Sequence, residues 1–184
     1  MTRATRQMRA DAVRNHQKIM DAARRLVTQH GPDAGMDAIA AEAGVAVGTL
    51  YRNFPTKADL VRAVVGESAD AMAADVEETA ARVRDGARVR SELVALAGRV
   101  IDSVAADAAV KTAAANLGGA DYAEQERRAL AALDCLIATA HAEGVVRDGI
   151  TPTDFAMLVT TAPADQPKAV RDRWLQIFLA GIMT

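Results

Sequence analysis

The chain has 184 residues, enough for one domain or for a small module fused to a medium one, and enough to bury a core. Hydrophobic residues make up 51% of it but aromatics only 3%, so its apolar content is mostly alanine, valine, leucine and isoleucine. The single cysteine, Cys135, excludes an intrachain disulfide and a cysteine-based zinc site.

The net charge of −2 conceals a split. Residues 1–62 hold 10 Lys/Arg against 6 Asp/Glu, whereas residues 63–184 hold 12 against 18. A basic front and an acidic rear imply a polyanionic partner for the front alone. No apolar run approaches the length needed to cross a membrane. Nothing at the start resembles a signal peptide, so a soluble cytoplasmic protein is expected.

Alanine, leucine, arginine and glutamate favour helix and β-branched runs are short, which predicts an all-α fold of about nine helices. Residues 1–10 read as a disordered basic arm carrying Arg3, Arg6 and Arg9. The spacing of Val13, Ile19, Ala22, Ala23, Leu26 and Val27 predicts a helix from Asp11 to His30, stopped by Gly31-Pro32. Two short helices follow, Met36–Ala43 and Val47–Phe54, joined across Gly44 and ended by Pro55. Thr56 with Asp59 three residues on is a capping-box pattern, opening a helix from Lys57 to about Asp85.

The rear reads as further helices over about Arg88–Ala106, Asp107–Leu117 and Tyr122–Glu143. After a loop at 144–150, Thr151-Pro152-Thr153-Asp154 is a strong helix start, with Thr as cap and Pro in the first position. The last helix is expected over about Gln166–Met183.

The informative feature is the pair of two-turn helices. Helices this short do not persist alone in water. Ile39, Ala40, Ala43, Val45, Leu50 and Phe54 would lock them to Leu26 and Val27 of the first helix. Such a trihelical unit presents its last helix outward, where it fits the DNA major groove. On that helix Val47 and Gly48 open the surface, Gly48 letting a DNA backbone come close. Thr49, Tyr51, Arg52 and Asn53 offer hydroxyl, phenol, guanidinium and amide groups to phosphates and base edges. Lys57, at the start of the next helix, and Arg14 add positive charge.

The stretch from Gly44 through Val47-Gly48-Thr49-Leu50-Tyr51-Arg52-Asn53-Phe54-Pro55 to Leu60 resembles the signature of the tetracycline-repressor (TetR) family, as do Ile19–Gly31 and Ile39–Gly44 upstream. The clear resemblance covers about residues 12–65. It implies a homodimer that binds a palindromic operator in double-stranded DNA, usually as a repressor. It also implies a C-terminal domain that binds a small-molecule effector and then releases DNA. Thr49, Tyr51, Arg52, Asn53 and Lys57 match family positions that commonly touch DNA. Met36 and Ala46 stand where the family often has hydroxyl residues, which implies fewer phosphate contacts. An activator would leave the same pattern, and so would a helical ligand-binding or dimerisation protein with a vestigial helix-turn-helix.

The expected organisation is therefore an arm (1–10), a helix-turn-helix domain (11–55) and a ligand-binding and dimerisation domain (56–184). Candidate walls of the ligand site are Met72, Val76, Leu96, Val100, Val104, Leu117, Tyr122, Leu133, Ile137 and Met157. Arg99, Lys111 and Asn116 are candidate polar contacts. Few aromatics and few charges among them point to a small or apolar ligand. Phe155, Leu158 and Val159 with Trp174, Leu175, Phe178, Leu179 and Ile182 form two apolar faces expected to pair with a second copy as a four-helix interface. His16, His30 and His141 have no ligand spacing, Cys135 reads as a small buried hydrophobe, and no nucleophile–base pair stands out. Neither metal, cofactor nor enzyme chemistry is expected.

Overall fold

The computed structural model describes residues 3–116 and 122–184. Eight α-helices follow in order: α1 (Arg3–His30), α2 (Met36–Ala43), α3 (Val47–Asn53), α4 (Lys57–Arg84), α5 (Val89–Asn116), α6 (Ala123–Ala142), α7 (Pro152–Thr160) and α8 (Lys168–Ile182). A single 3-10 turn, Gly31–Asp33, follows α1. The fold is all-α, as the composition predicts.

Two boundaries differ from expectation. The helix expected from Asp11 begins at Arg3, so residues 3–10 extend α1 instead of forming a disordered arm; Met1 and Thr2 lie outside the described residues. No Gly or Pro interrupts the run from Arg3 to His30, and Ala4, Gln7, Met8 and Arg9 are good helix formers. The two helices expected over 88–117 are one, α5, because nothing between Gly98 and Asn116 breaks helix.

The chain divides into two compact units, one of residues 3–67 with 109–116, the other of residues 68–108 with 122–184. In the first, α1 packs on α2 and α2 on α3. Ile19, Ala23 and Val27 of α1, Ile39 and Ala40 of α2, and Leu50 of α3 are at most 1% exposed. Burying a leucine or isoleucine side chain stabilises by about 1.5–3 kcal/mol, which is what holds two-turn helices in place. Gly44 ends α2 at φ 65°, a left-handed turn suited to glycine. The amide of Val45 then donates to the carbonyl of Ala40 at 3.0 Å, which closes the turn before α3. Phe54 is buried just after α3, its ring centroid 5.0 Å from that of His16.

The second unit has one continuous core. It joins Val76 and Val83 of α4, Leu93, Leu96 and Ile101 of α5, Leu133, Leu136 and Ile137 of α6, Phe155 and Val159 of α7, and Phe178 and Ile182 of α8. Phe178 stacks on Trp174 at 5.5 Å and meets Phe155 at 5.8 Å. Around this core, the Arg99 guanidinium donates to both carboxylate oxygens of Asp75, and Arg171 donates to Asp102 at 3.0 Å. Past α6, an isolated bridge between Val146 and Met183 ties the loop at 144–150 to the chain's last residues.

The capping box expected at Thr56 forms, and the helix start expected at Thr151 forms as a second capping box. The Asp59 amide donates to the Thr56 hydroxyl at 3.1 Å and the Thr56 amide to the Asp59 carboxylate at 3.1 Å. The same reciprocal pair joins Asp154 and Thr151, at 3.1 and 2.9 Å. Hydrogen bonds from the Thr151 hydroxyl and amide hold the Asp154 carboxyl below the ordinary aspartate value. A depressed folded-state value contributes stability that is present above the ordinary value and lost as pH falls through the folded one. Thermal melts of Thr151→Ala and the parent should therefore differ most near about pH 7 and converge when the pH is lowered well below ~3.9.

Candidate functional site

α3 is amphipathic over only seven residues. Leu50 faces inward and is fully buried, while Val47, Gly48, Tyr51, Arg52 and Asn53 are exposed and Thr49 is partly so. Tyr51 is 45% exposed, an unusual placement for a large ring that shares a turn with a buried leucine. A side-chain carbon added at Gly48 would meet nothing within 4 Å. Among the described residues, the hydrogen bonds of Arg52 and Asn53 stay within their own helix. Arg52 donates to the Thr49 hydroxyl at 3.1 Å, and the Asn53 amide donates to the Thr49 carbonyl at 2.8 Å. These are exposed bonds that water or a phosphate can replace at small cost.

Lys57 lies in the first turn of α4, half-buried. Arg14 is exposed on α1 and ion-paired with Asp11, one turn away. Neither α2 nor α3 has a side-chain cap at its start: Gly35 and Ala46 occupy the cap positions and Met36 follows the first of them. The two positions where the sequence lacks hydroxyls thus sit at the first residue of α2 and at the cap of α3. The structure thus brings Val47, Gly48, Thr49, Tyr51, Arg52 and Asn53 onto one helix.

The second unit holds a cavity of about 380 Å³, within the usual range for small-molecule sites. Seven of the ten candidate ligand residues line it: Met72, Val76, Leu96, Val100, Tyr122, Leu133 and Met157. Val104 and Ile137 do not; both are buried in the same core, where their apolar faces meet other helices. Leu117 lies outside the described residues, as does the side chain of Asn116. Arg99 is engaged by Asp75 and Lys111 is exposed, and neither lines the cavity.

The sequence reading missed the small and the polar parts of this lining. Ala69, Ala73, Ala129 and Ala156 leave the space, and Gln125, Glu126, Thr153 and Thr160 supply its polar groups. Ala69 and Ala73 stand four apart on α4 and share a face, a signal that small residues align where a helix would otherwise carry large ones. The polar residues carry no such signal.

The two apolar faces expected to meet a second copy are placed differently. Phe155, Val159, Phe178 and Ile182 are buried in the chain's own core and have no surface left to share. Leu158, Trp174, Leu175 and Leu179 are partly buried against that core. The large apolar side chains that α7 and α8 leave exposed are Met157, Val170 and Ile177. Cys135, expected to be buried, is exposed on α6, one position off its apolar stripe. Among the described residues no group of three or more His, Cys, Asp or Glu is placed to hold a metal, and no helix is long and apolar enough to cross a membrane.

Comparison with known proteins bears on both units. Residues 19–64 match a family described as bacterial regulatory proteins, tetR family, and residues 90–184 match one described as transcriptional regulator SbtR-like, C-terminal domain. An HTH-type transcriptional regulator of Staphylococcus aureus (strain bovine RF122 / ET3-1) is 44% identical over 54 residues, 29% of this chain and 29% of that protein. Another, of Staphylococcus aureus strain USA300, is 41% identical over 64 residues, 34% of this chain and 35% of that one. The chain thus aligns with only about a third of the length of these curated relatives.

Solved structures extend the likeness along the whole fold. A TetR transcriptional regulator of Streptomyces coelicolor is 31% identical, with a TM-score of 0.69 over 91% of this chain and 98% of that one. A TetR transcription regulatory protein of Mycobacterium vanbaalenii is 28% identical, with a TM-score of 0.72 over 96% and 99%. With one family match spanning just over half of its length and a 31%-identical relative matched nearly end to end, the chain belongs to the TetR family of bacterial regulatory proteins.

Proposed function

We propose that the protein is a homodimeric transcriptional repressor of the cytoplasm, which holds a palindromic DNA operator through α3 and leaves it when a small molecule fills the cavity of the second unit. The observation that carries this reading is the outward face of α3. Tyr51, Arg52 and Asn53 stand exposed beside Gly48, on a helix anchored by one buried leucine. That is the shape and chemistry of a helix that enters a major groove. Val47, Thr49, Lys57 and Arg14 complete the proposed contact set. Relatives named as transcriptional regulators support the same reading.

Selection of bound DNA from a random pool tests it. An enriched palindrome with half-sites about one helical turn (~34 Å) apart is the expected result. Affinity for the selected site should fall steeply with salt, because each neutralised phosphate releases counterions. A pool that stays random after repeated rounds would refute DNA recognition.

The cavity is proposed as the effector site because its walls are apolar and its few polar groups stand at the start of α6, as Gln125 and Glu126, and on α7, as Thr153 and Thr160. An effector releases DNA only if it favours the conformation that binds DNA less well. The proposed pairing of two copies uses the outward faces of α7 and α8, where Met157, Val170 and Ile177 are exposed and Leu158, Trp174, Leu175 and Leu179 are half-buried. Val170→Asp with Ile177→Asp should convert a dimer into a monomer at micromolar protein, read by sedimentation velocity. A parent protein that already sediments as a monomer would refute the pairing.

A further inference from the structure

The lining of the cavity narrows the chemistry of its occupant, an inference that rests on reading this cavity as the effector site. Its volume of about 380 Å³ lies at the smaller end of the range for small-molecule sites. Met72, Val76, Leu96, Val100, Leu133 and Phe155 make its walls apolar. Glu126 is the one charged residue that lines it, and no Lys, Arg or His does so among the described residues. Glu126 is exposed in the first turn of α6, which puts its carboxylate at the rim.

The neighbouring cations are already engaged. Arg128 donates to Glu77 at 3.0 and 2.7 Å and to Asp70 at 3.3 Å, and Arg127 donates to Glu124 at 3.0 and 2.6 Å. Gln125 donates to Asp70 at 3.2 Å. The arginine bonds hold the Glu77 and Glu124 carboxyls below their ordinary values, so these acids stay ionised and paired. Glu126 makes no ion pair among the described residues. A helix start by itself favours an anion, but the first turn of α6 already carries Glu124 and Glu126.

We propose that the cavity takes a lipophilic monocation, its apolar body inside and its positive head against Glu126. An anion with the same body would bring like charge to Glu126, with no cation among the described lining residues to offset it. The test uses the full chain and three probes that share one hydrocarbon body: decyltrimethylammonium, 1-decanol and decanoate, titrated calorimetrically below their micelle concentrations.

The expected order is cation, then alcohol, then anion, with decanoate at least about tenfold weaker than the cation. Glu126→Gln should bring the cation and the alcohol to within about twofold of each other. Ala129→Trp, which fills the cavity, should abolish binding of all three. Decanoate binding as tightly as the cation overturns the charge assignment alone, provided that Ala129→Trp still removes the alcohol. So does a Glu126→Gln variant in which the cation keeps its lead. Binding that persists in Ala129→Trp, or no binding of any probe to the parent, overturns both the charge assignment and the effector reading of the cavity.

Discussion

Tyr51→Ala combined with Arg52→Ala is expected to abolish specific operator binding, a loss of at least about a hundredfold, while the protein's helicity and melting temperature stay close to the parent's. Both side chains are exposed, and the hydrogen bond of Arg52 runs to Thr49 of its own helix. Surface replacements of this kind usually change stability by no more than ~0.5 kcal/mol, and alanine is the better helix former at both positions. Losing a base-reading arginine costs about 1–3 kcal/mol, and a lost phosphate contact weakens binding to all sequences alike. The double variant should therefore lose both discrimination and basal affinity. A mobility-shift titration on the selected operator, beside a thermal melt, separates the two quantities. Nanomolar binding retained by the double variant would sink the assignment of α3.

Leu50→Ala, one residue earlier, should lose stability as well as binding. Leu50 is fully buried, and it is the one buried residue of α3. Replacing a buried leucine by alanine costs about 2.7–5 kcal/mol, depending on how far the site collapses into the space left. A helix of seven residues has no stability of its own to absorb that loss. The variant should melt well below the parent and bind operator weakly even where its surface chemistry is intact. A Leu50→Ala protein that melts with the parent would show that α3 is held by something other than this side chain. Neighbours in sequence, Leu50 and Tyr51 then report separately on folding and on recognition.

The local parts of this fold are legible in the sequence because local chemistry decides them. Thr56 with Asp59, and Thr151 with Asp154, announce helix starts that form with reciprocal hydrogen bonds. Gly44 marks a left-handed turn that most other residues avoid. Two features are not local. The apolar stripes of α7 and α8 reveal which side of each helix avoids water, but not whether the chain or a second copy covers it. The stripe through Phe155, Val159, Phe178 and Ile182 closes the chain's own core, and the surface left over is defined by Met157, Val170 and Ile177.

The cavity is legible in the same partial way. Its large residues fall on the expected stripes, as Val76, Leu96 and Leu133 do. Its existence depends on alanines such as Ala69, Ala73 and Ala129, which are indistinguishable from ordinary helix-filling residues until several helices converge. Glu126 looks like any surface acid at a helix start, and only the placement of the apolar walls beside it gives its charge a role.

Gly48 sits inside α3 with open space where a side chain would go. Within the folded chain nothing opposes a methyl group there, and alanine would strengthen a short helix that lacks a side-chain cap. Folding alone would thus drive this position toward alanine. If α3 lies against a DNA backbone as proposed, that backbone is what would oppose the methyl group, and Gly48→Ala should then raise the melting temperature while weakening operator binding. Variants bred for heat resistance with no demand on DNA binding are free to take alanine here, and on the proposed contact they would lose regulation without any sign of it in their stability.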